Sequence, residues 1–179
     1  PEYPKPFPNV QFPLEALDQY LAQLVPNTET TLKGGGNNTV NALAALLDKI
    51  GPAVIMVHSQ SGDYGIDVVR KRASLVKALV SIEGGCDTLK PDEAAKHFAK
   101  VPFVSVWGDN SVGAWGVNGD KRRNDCVAAV NMIKSSGGNA TFHLLPEHGI
   151  AGNSHMMMMD KNNLQVAGVI RKWIIDNVR

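Results

Sequence analysis

Five side chains able to do nucleophilic or acid–base chemistry stand at the ends of apolar segments: Ser59, Glu83, Asp109, His148 and His155. A serine hydroxyl becomes a useful nucleophile beside a base, and an imidazole serves as that base when a carboxylate fixes its tautomer and stabilises its charged form. The order along the chain is serine, acid, histidine. Val54–Val57 is a short, unbroken apolar run that reads as a strand buried on both faces, and it leads straight into His58-Ser59-Gln60-Ser61-Gly62. A strand that passes directly into a helix through small residues turns sharply and exposes one side chain, here Ser59, which is the geometry of the G-x-S-x-G elbow. The match is partial, with Val57 at the first glycine position, Ser61 at the second and Gly62 one residue later. An ordinary strand-to-helix turn whose serine caps the helix satisfies the same pattern.

Two carboxylates compete for the acid. Glu83 lies in Ser81-Ile82-Glu83-Gly84-Gly85, where the glycines let the backbone turn and present the side chain; Asp109 follows Trp107-Gly108 and could instead cap its own loop. Of the histidines, His155 comes shortly before the last helix, where a base would be presented, and His148 is the alternative base or a substrate contact. His58 is expected to pack beneath the elbow, and His97 and His143 to be structural. Trp107, Trp115 and the methionine run beginning at Met156 suggest an apolar substrate pocket, although Met156–Met159 serves equally well as core packing.

The elements that must position these groups alternate along the chain. Residues 1–13 carry five prolines and form an extended arm. Leu14, Leu17, Leu21 and Leu24 make a helical stripe ended by Pro26, and a polar, glycine-rich connection leads to a helix over Thr39–Ile50. After the elbow strand come a helix over 64–72, a strand over Ala78–Ile82, a helix over Pro91–Ala99 and a strand over Val101–Trp107. A helix over 123–135, a strand over Ala140–Leu145 and a helix over 163–178 complete the series. This succession is the signature of a parallel α/β sheet, in which ligands bind outside the carboxyl ends of the strands.

With 179 residues, 44% of them hydrophobic, the chain can build one domain with a real core. Eighteen basic against 17 acidic residues leave a net charge of +1, which supplies neither a stripe for nucleic acid nor a polybasic membrane patch. No apolar stretch approaches the roughly 20 residues of a membrane span. The histidines and cysteines show no C-x-x-C or H-x-x-x-H pairing, and no glycine-rich loop fits a phosphate- or dinucleotide-binding fingerprint, since Gly34-Gly35-Gly36 follows no strand, so neither a metal nor a nucleotide cofactor is expected. Cys86 and Cys126 allow one disulfide without demanding it. Sequons at Asn37 and Asn139 make a secreted or extracytoplasmic glycoprotein the favoured expectation.

The irregular elbow, the order Ser59, Glu83, His155 and the tail from Glu147-His148-Gly149 through Asn153-Ser154-His155-Met-Met-Met-Met-Asp160 resemble the α/β-hydrolase superfamily, in particular secreted bacterial and fungal esterases with a Ser-Glu-His triad. The likeness covers residues 39–179, the C-terminal half of that fold. It implies Glu83 as the acid, acyl transfer through Ser59 with carboxylic esters as substrates, and the backbone N–H of Gln60 as one oxyanion donor. It also implies that a preceding segment of the same polypeptide, cut or absent, completes the sheet beside the elbow strand and brings a second donor, with residues 1–38 as an arm and cap-like helix. A non-catalytic binding module, a hydrolase-fold acyltransferase or lyase, and a homodimer are left open.

Overall fold

The computed structural model describes residues 5–24, 36–111 and 119–178. Four parallel strands, β1 (Ala53–His58), β2 (Val76–Ile82), β3 (Phe103–Trp107) and β4 (Ala140–Leu144), lie side by side in chain order. The helices are α1 (Leu17–Ala22), α2 (Asn37–Ile50), α3 (Ser61–Arg72), α4 (Pro91–Phe98), α5 (Gly119–Ser135) and α6 (Asn163–Asn177). Each crossover between successive strands carries a helix, as parallel pairing requires.

Side-chain alternation along β2 shows how the layers form. Leu79 faces a core shared with Val40 and Leu47 of α2, Ile66 and Val69 of α3, Phe98 of α4 and Ile133 of α5. Ala78, Val80 and Ile82 face the other side, where Val166, Ile170 and Trp173 of α6 cover the sheet. Successive residues of a strand point to opposite faces, so one strand feeds both cores.

The element boundaries differ from the expected ones where short-range chemistry decides. The second half of the predicted 14–24 helix is α1, preceded by a 3-10 turn over Leu14–Ala16. Asn37 and Asn38 form the first turn of α2, and Ser61 rather than Tyr64 opens α3, because first-turn N–H groups need no intrahelical acceptor. β4 ends at Leu144 in a 3-10 turn, Leu145–His148, set by Pro146.

β1 departs from the expectation of burial on both faces. Among its residues only Val57 is buried, and Met56 is 52% exposed, because among the described residues the strand pairs with β2 alone. Its outer side borders a groove of about 460 Å³ lined by Met56, Ile82, Met157, Met158, Ile170 and Ile174. The stripe of Leu14, Leu17, Leu21 and Leu24 is likewise exposed.

Candidate active site

Two sharp turns stand back to back at the carboxyl ends of β1 and β2. Ser59 has φ 55° and Glu83 φ 43°, a region that bulky L residues avoid and that clusters at functional sites. The turns are laced together through main chain. Ser59 donates its N–H to Ile82 O (3.1 Å), and its own carbonyl accepts from Gly62 N–H (3.0 Å) and Gly85 N–H (3.1 Å). The turns approach so closely at Gly62 that an added Cβ would sit 2.3 Å from Gly85 N and 2.6 Å from Gly84 Cα. The glycine displaced by one place from the elbow pattern therefore performs the close-approach role.

Ser59, Glu83 and His155 converge from three different loops. Ser59 Oγ is 2.8 Å from His155 Nε2, and His155 Nδ1 is 2.7 Å from Glu83 Oε2. The carboxylate can only accept, so Nδ1 carries the proton and the Nε2 lone pair faces the serine hydroxyl. Glu83 is fully buried, and its other oxygen accepts from Gly108 N–H (2.9 Å) and Ser111 Oγ (3.0 Å). Arg122 Nη2 donates to the Glu83 carbonyl at 2.6 Å. A buried carboxylate is costly unless its oxygens are hydrogen-bonded, as both Glu83 oxygens are here.

His58, expected beneath the elbow, stands beside the His155 ring. The two imidazoles lie 4.7 Å apart, and His58 Nε2–H donates to His155 O at 2.8 Å. Burial holds its pKa below the ordinary 6.5. The loop carrying His155 is braced by Asp160, whose carboxylate accepts from Ser154 N–H (2.8 Å), Ser154 Oγ (2.7 Å) and Asn153 Nδ2 (3.0 Å). Burial raises the Asp160 pKa against those hydrogen bonds.

The remaining candidates lie elsewhere. Asp109 does not meet an imidazole; its carboxylate accepts from the N–H groups of Gly152 and Asn153 and from Asn9 Nδ2, so the expected cap on its own following loop is replaced by contacts to two distant segments. His148 is exposed and its Nε2 pairs with His143 Nδ1 (2.8 Å) instead of the serine. Trp107, expected in the pocket, is 1% exposed in the α3–α5 core with its indole N–H on Ser105 Oγ (2.8 Å), because its place in β3 points it into that layer. In the methionine run it is Met157 and Met158, not Met156, that line the groove. Trp115 lies outside the described residues. Asn37 and Asn139 are both exposed.

Sequence reasoning missed Asp160, Asn153, Ser111, Arg122 and Asn9 as parts of this site. Their partners are far away in the chain or inside irregular loops, so no periodicity marks them. Cys86 and Cys126 are joined in a disulfide three residues beyond Glu83. Among the described residues no group of three or more His, Cys, Asp or Glu side chains could hold a metal ion, and no helix is long and apolar enough to cross a membrane.

No family model matches the sequence. A bacterial esterase solved at atomic resolution superposes on this chain with a TM-score of 0.89 at 35% identity, over 100% of this chain and 55% of the esterase. The fold is α/β-hydrolase-like. A protein named "Probable secreted lipase" from a fungal species (strain ATCC 74256) is 27% identical over 207 residues, covering 87% of this chain and 54% of the lipase. The hydrolase-like chain thus spans about half the length of the relatives it matches.

Proposed function

We propose that this chain carries the reacting half of a carboxylic ester hydrolase that works through an acyl-enzyme on Ser59. The observation that supports the reading is the continuous hydrogen-bonded line Ser59–His155–Glu83 in the tautomer that makes His155 a base. His155 Nε2 takes the hydroxyl proton as Ser59 Oγ attacks the ester carbonyl carbon, and the carbonyl π pair moves onto oxygen. Collapse expels the alcohol, protonated by the same nitrogen; a water activated by His155 then releases the acid and restores Ser59. The Glu83 carboxylate accepts from His155 Nδ1–H and stabilises the imidazolium.

The oxyanion is held in this reading by Gln60 N–H at the positive end of α3. Loss of one such donor typically costs about 10²–10³ in rate, so a second is needed. We assign it to a preceding segment of the same polypeptide that pairs along the edge of β1 left open among the described residues and fills the groove beside Met56. Met56→Asp places a charge in that groove; in protein whose preceding segment has been cut from this chain, native mass spectrometry should then show the segment lost, and in an uncut polypeptide hydrogen exchange along β1 should rise.

Secretion fits the disulfide, which persists in oxidising compartments, and the name of the fungal relative. N-glycans are assigned to Asn37 and Asn139, testable by a mass shift on deglycosylation. The decisive experiment for the chemistry is labelling of native protein with a fluorophosphonate, followed by peptide mass spectrometry. An adduct on Ser59 is expected; folded protein without one would favour a binding module that carries the fold without the reaction.

A further inference from the structure

Residues 108–111, which leave β3, grip both halves of the Glu83–His155 pair in alternation. Gly108 N–H and Ser111 Oγ donate to Glu83 Oε1 (2.9 and 3.0 Å). Between them, Asp109 and Asn110 hold the histidine loop: Asp109 Oδ1 accepts from Gly152 N–H (2.9 Å) and Asn153 N–H (3.0 Å), and Asn110 N–H donates to Asn153 O (3.1 Å). One hydrogen-bonded turn thus spans Glu83 and the loop that carries His155.

The N-terminal arm closes this bracket from outside. Asn9 Nδ2 donates to Asp109 Oδ2 (3.0 Å), and Asn9 Oδ1 accepts from Asn110 Nδ2 (3.3 Å). Gln11 N–H donates to Gly152 O (2.7 Å) while Gln11 O accepts from Lys161 N–H (2.9 Å), so the arm bridges both ends of the loop 152–161. Gly152, at φ 84°, lies so close to the arm that an added Cβ would be 1.9 Å from Asn9 O. The side-chain hydrogen bonds of Asp109 and Asn9 go to each other, to Asn110 and to the main chain of the histidine loop, and none reaches Ser59, Glu83 or the His155 ring.

We infer that Asp109 and Asn9 are positioning residues, an arm-locked bracket that holds the His155 loop at its hydrogen-bonding distance from Glu83. The inference rests on the proposed hydrolase reading for its kinetic consequence, but its geometric content stands apart from turnover. A carboxylate receiving two main-chain N–H groups fixes a loop more firmly than neutral acceptors do, and misplacement of a reacting group by about 1 Å can cost about 10²-fold in rate.

The test uses Asp109→Asn, which keeps an oxygen for the two main-chain donors but turns an amide toward Asn9, and Asn9→Ala, which removes the outer tie. Two quantities are read: the low-field proton resonance of His155 Nδ1–H on Glu83, and kcat and KM for a short-chain aryl ester. Both variants should melt as cooperatively as the parent, broaden or shift the His155 proton, and lower kcat about 10- to 100-fold with KM within about twofold. An unmoved His155 proton in both folded variants would overturn the bracket, whatever the activity. If Ser59 in the parent proves unreactive, the hydrolase reading fails while the proton signal still decides the positioning role.

Discussion

Replacing Glu83 by Gln tests the assignment of the acid with little change of shape. The buried carboxylate faces a donor on each side: Gly108 N–H at Oε1 and His155 Nδ1–H at Oε2. A glutamine must turn its NH₂ toward one of them. Gly108 N–H is backbone and cannot withdraw its proton, whereas the imidazole can move its proton from Nδ1 to Nε2. The amide therefore settles toward His155, and the ring adopts the tautomer in which Nε2–H donates to Ser59. A base has become a donor, and the corresponding wrong-tautomer change costs a serine protease about 10⁴ in kcat. That is about 5.5 kcal/mol of barrier at 1.36 kcal/mol per tenfold. The assay is the second-order rate of fluorophosphonate labelling at Ser59 alongside ester turnover, with thermal melting to show that the variant is folded. A folded Glu83→Gln protein within tenfold of the parent, with Asp109→Asn carrying a 10⁴-fold loss, would refute the reasoning and move the acid to Asp109.

Three further outcomes follow from the geometry. Gly62→Ala should destabilise the fold by about 1–3 kcal/mol and depress Ser59 labelling, since the new methyl meets main chain at Gly84 and Gly85 that cannot swing aside; a denaturant titration measures it. Removing the disulfide with Cys86→Ala and Cys126→Ala, a closure spanning 40 residues of sequence, should cost about 4 kcal/mol on the chain-entropy account, read as a shift in the urea midpoint. His58 and His143 both have folded pKa values pushed down by burial from 6.5, so the unfolded chain binds more protons there. Their contribution is complete above about pH 6.5 and is lost as pH falls through the depressed folded values. The melting temperature should decline on acidification below 6.5, and His58→Gln should flatten that decline.

Much of the architecture was readable because parallel α/β segments are marked by local patterns. Branched apolar runs such as Val54–Val57 and Val101–Trp107, and the stripe Val40, Ala44 and Leu47, identify strands and a helix from residues a few places apart. The order of serine, acid and histidine was legible in the same way, since Ser59 and Glu83 stand where strands end and His155 lies in the loop between the last strand and the last helix. What tertiary structure decided was which groups meet. Glu83 rather than Asp109 faces His155, with the Ser59 turn packed against Gly84 and Gly85; the glycines mark that close approach in the sequence, but which segments meet there is decided by main-chain hydrogen bonds between distant turns. Trp107 belongs to the core because side-chain direction depends on its register within the sheet, and Met157 lines the groove because the irregular turn over residues 155–159 carries it there, which no period along the chain encodes. The tie from Asn9 to Asp109, 100 residues apart, is visible only once the chain is folded, because polar loop residues find partners by proximity in space and not by period along the chain.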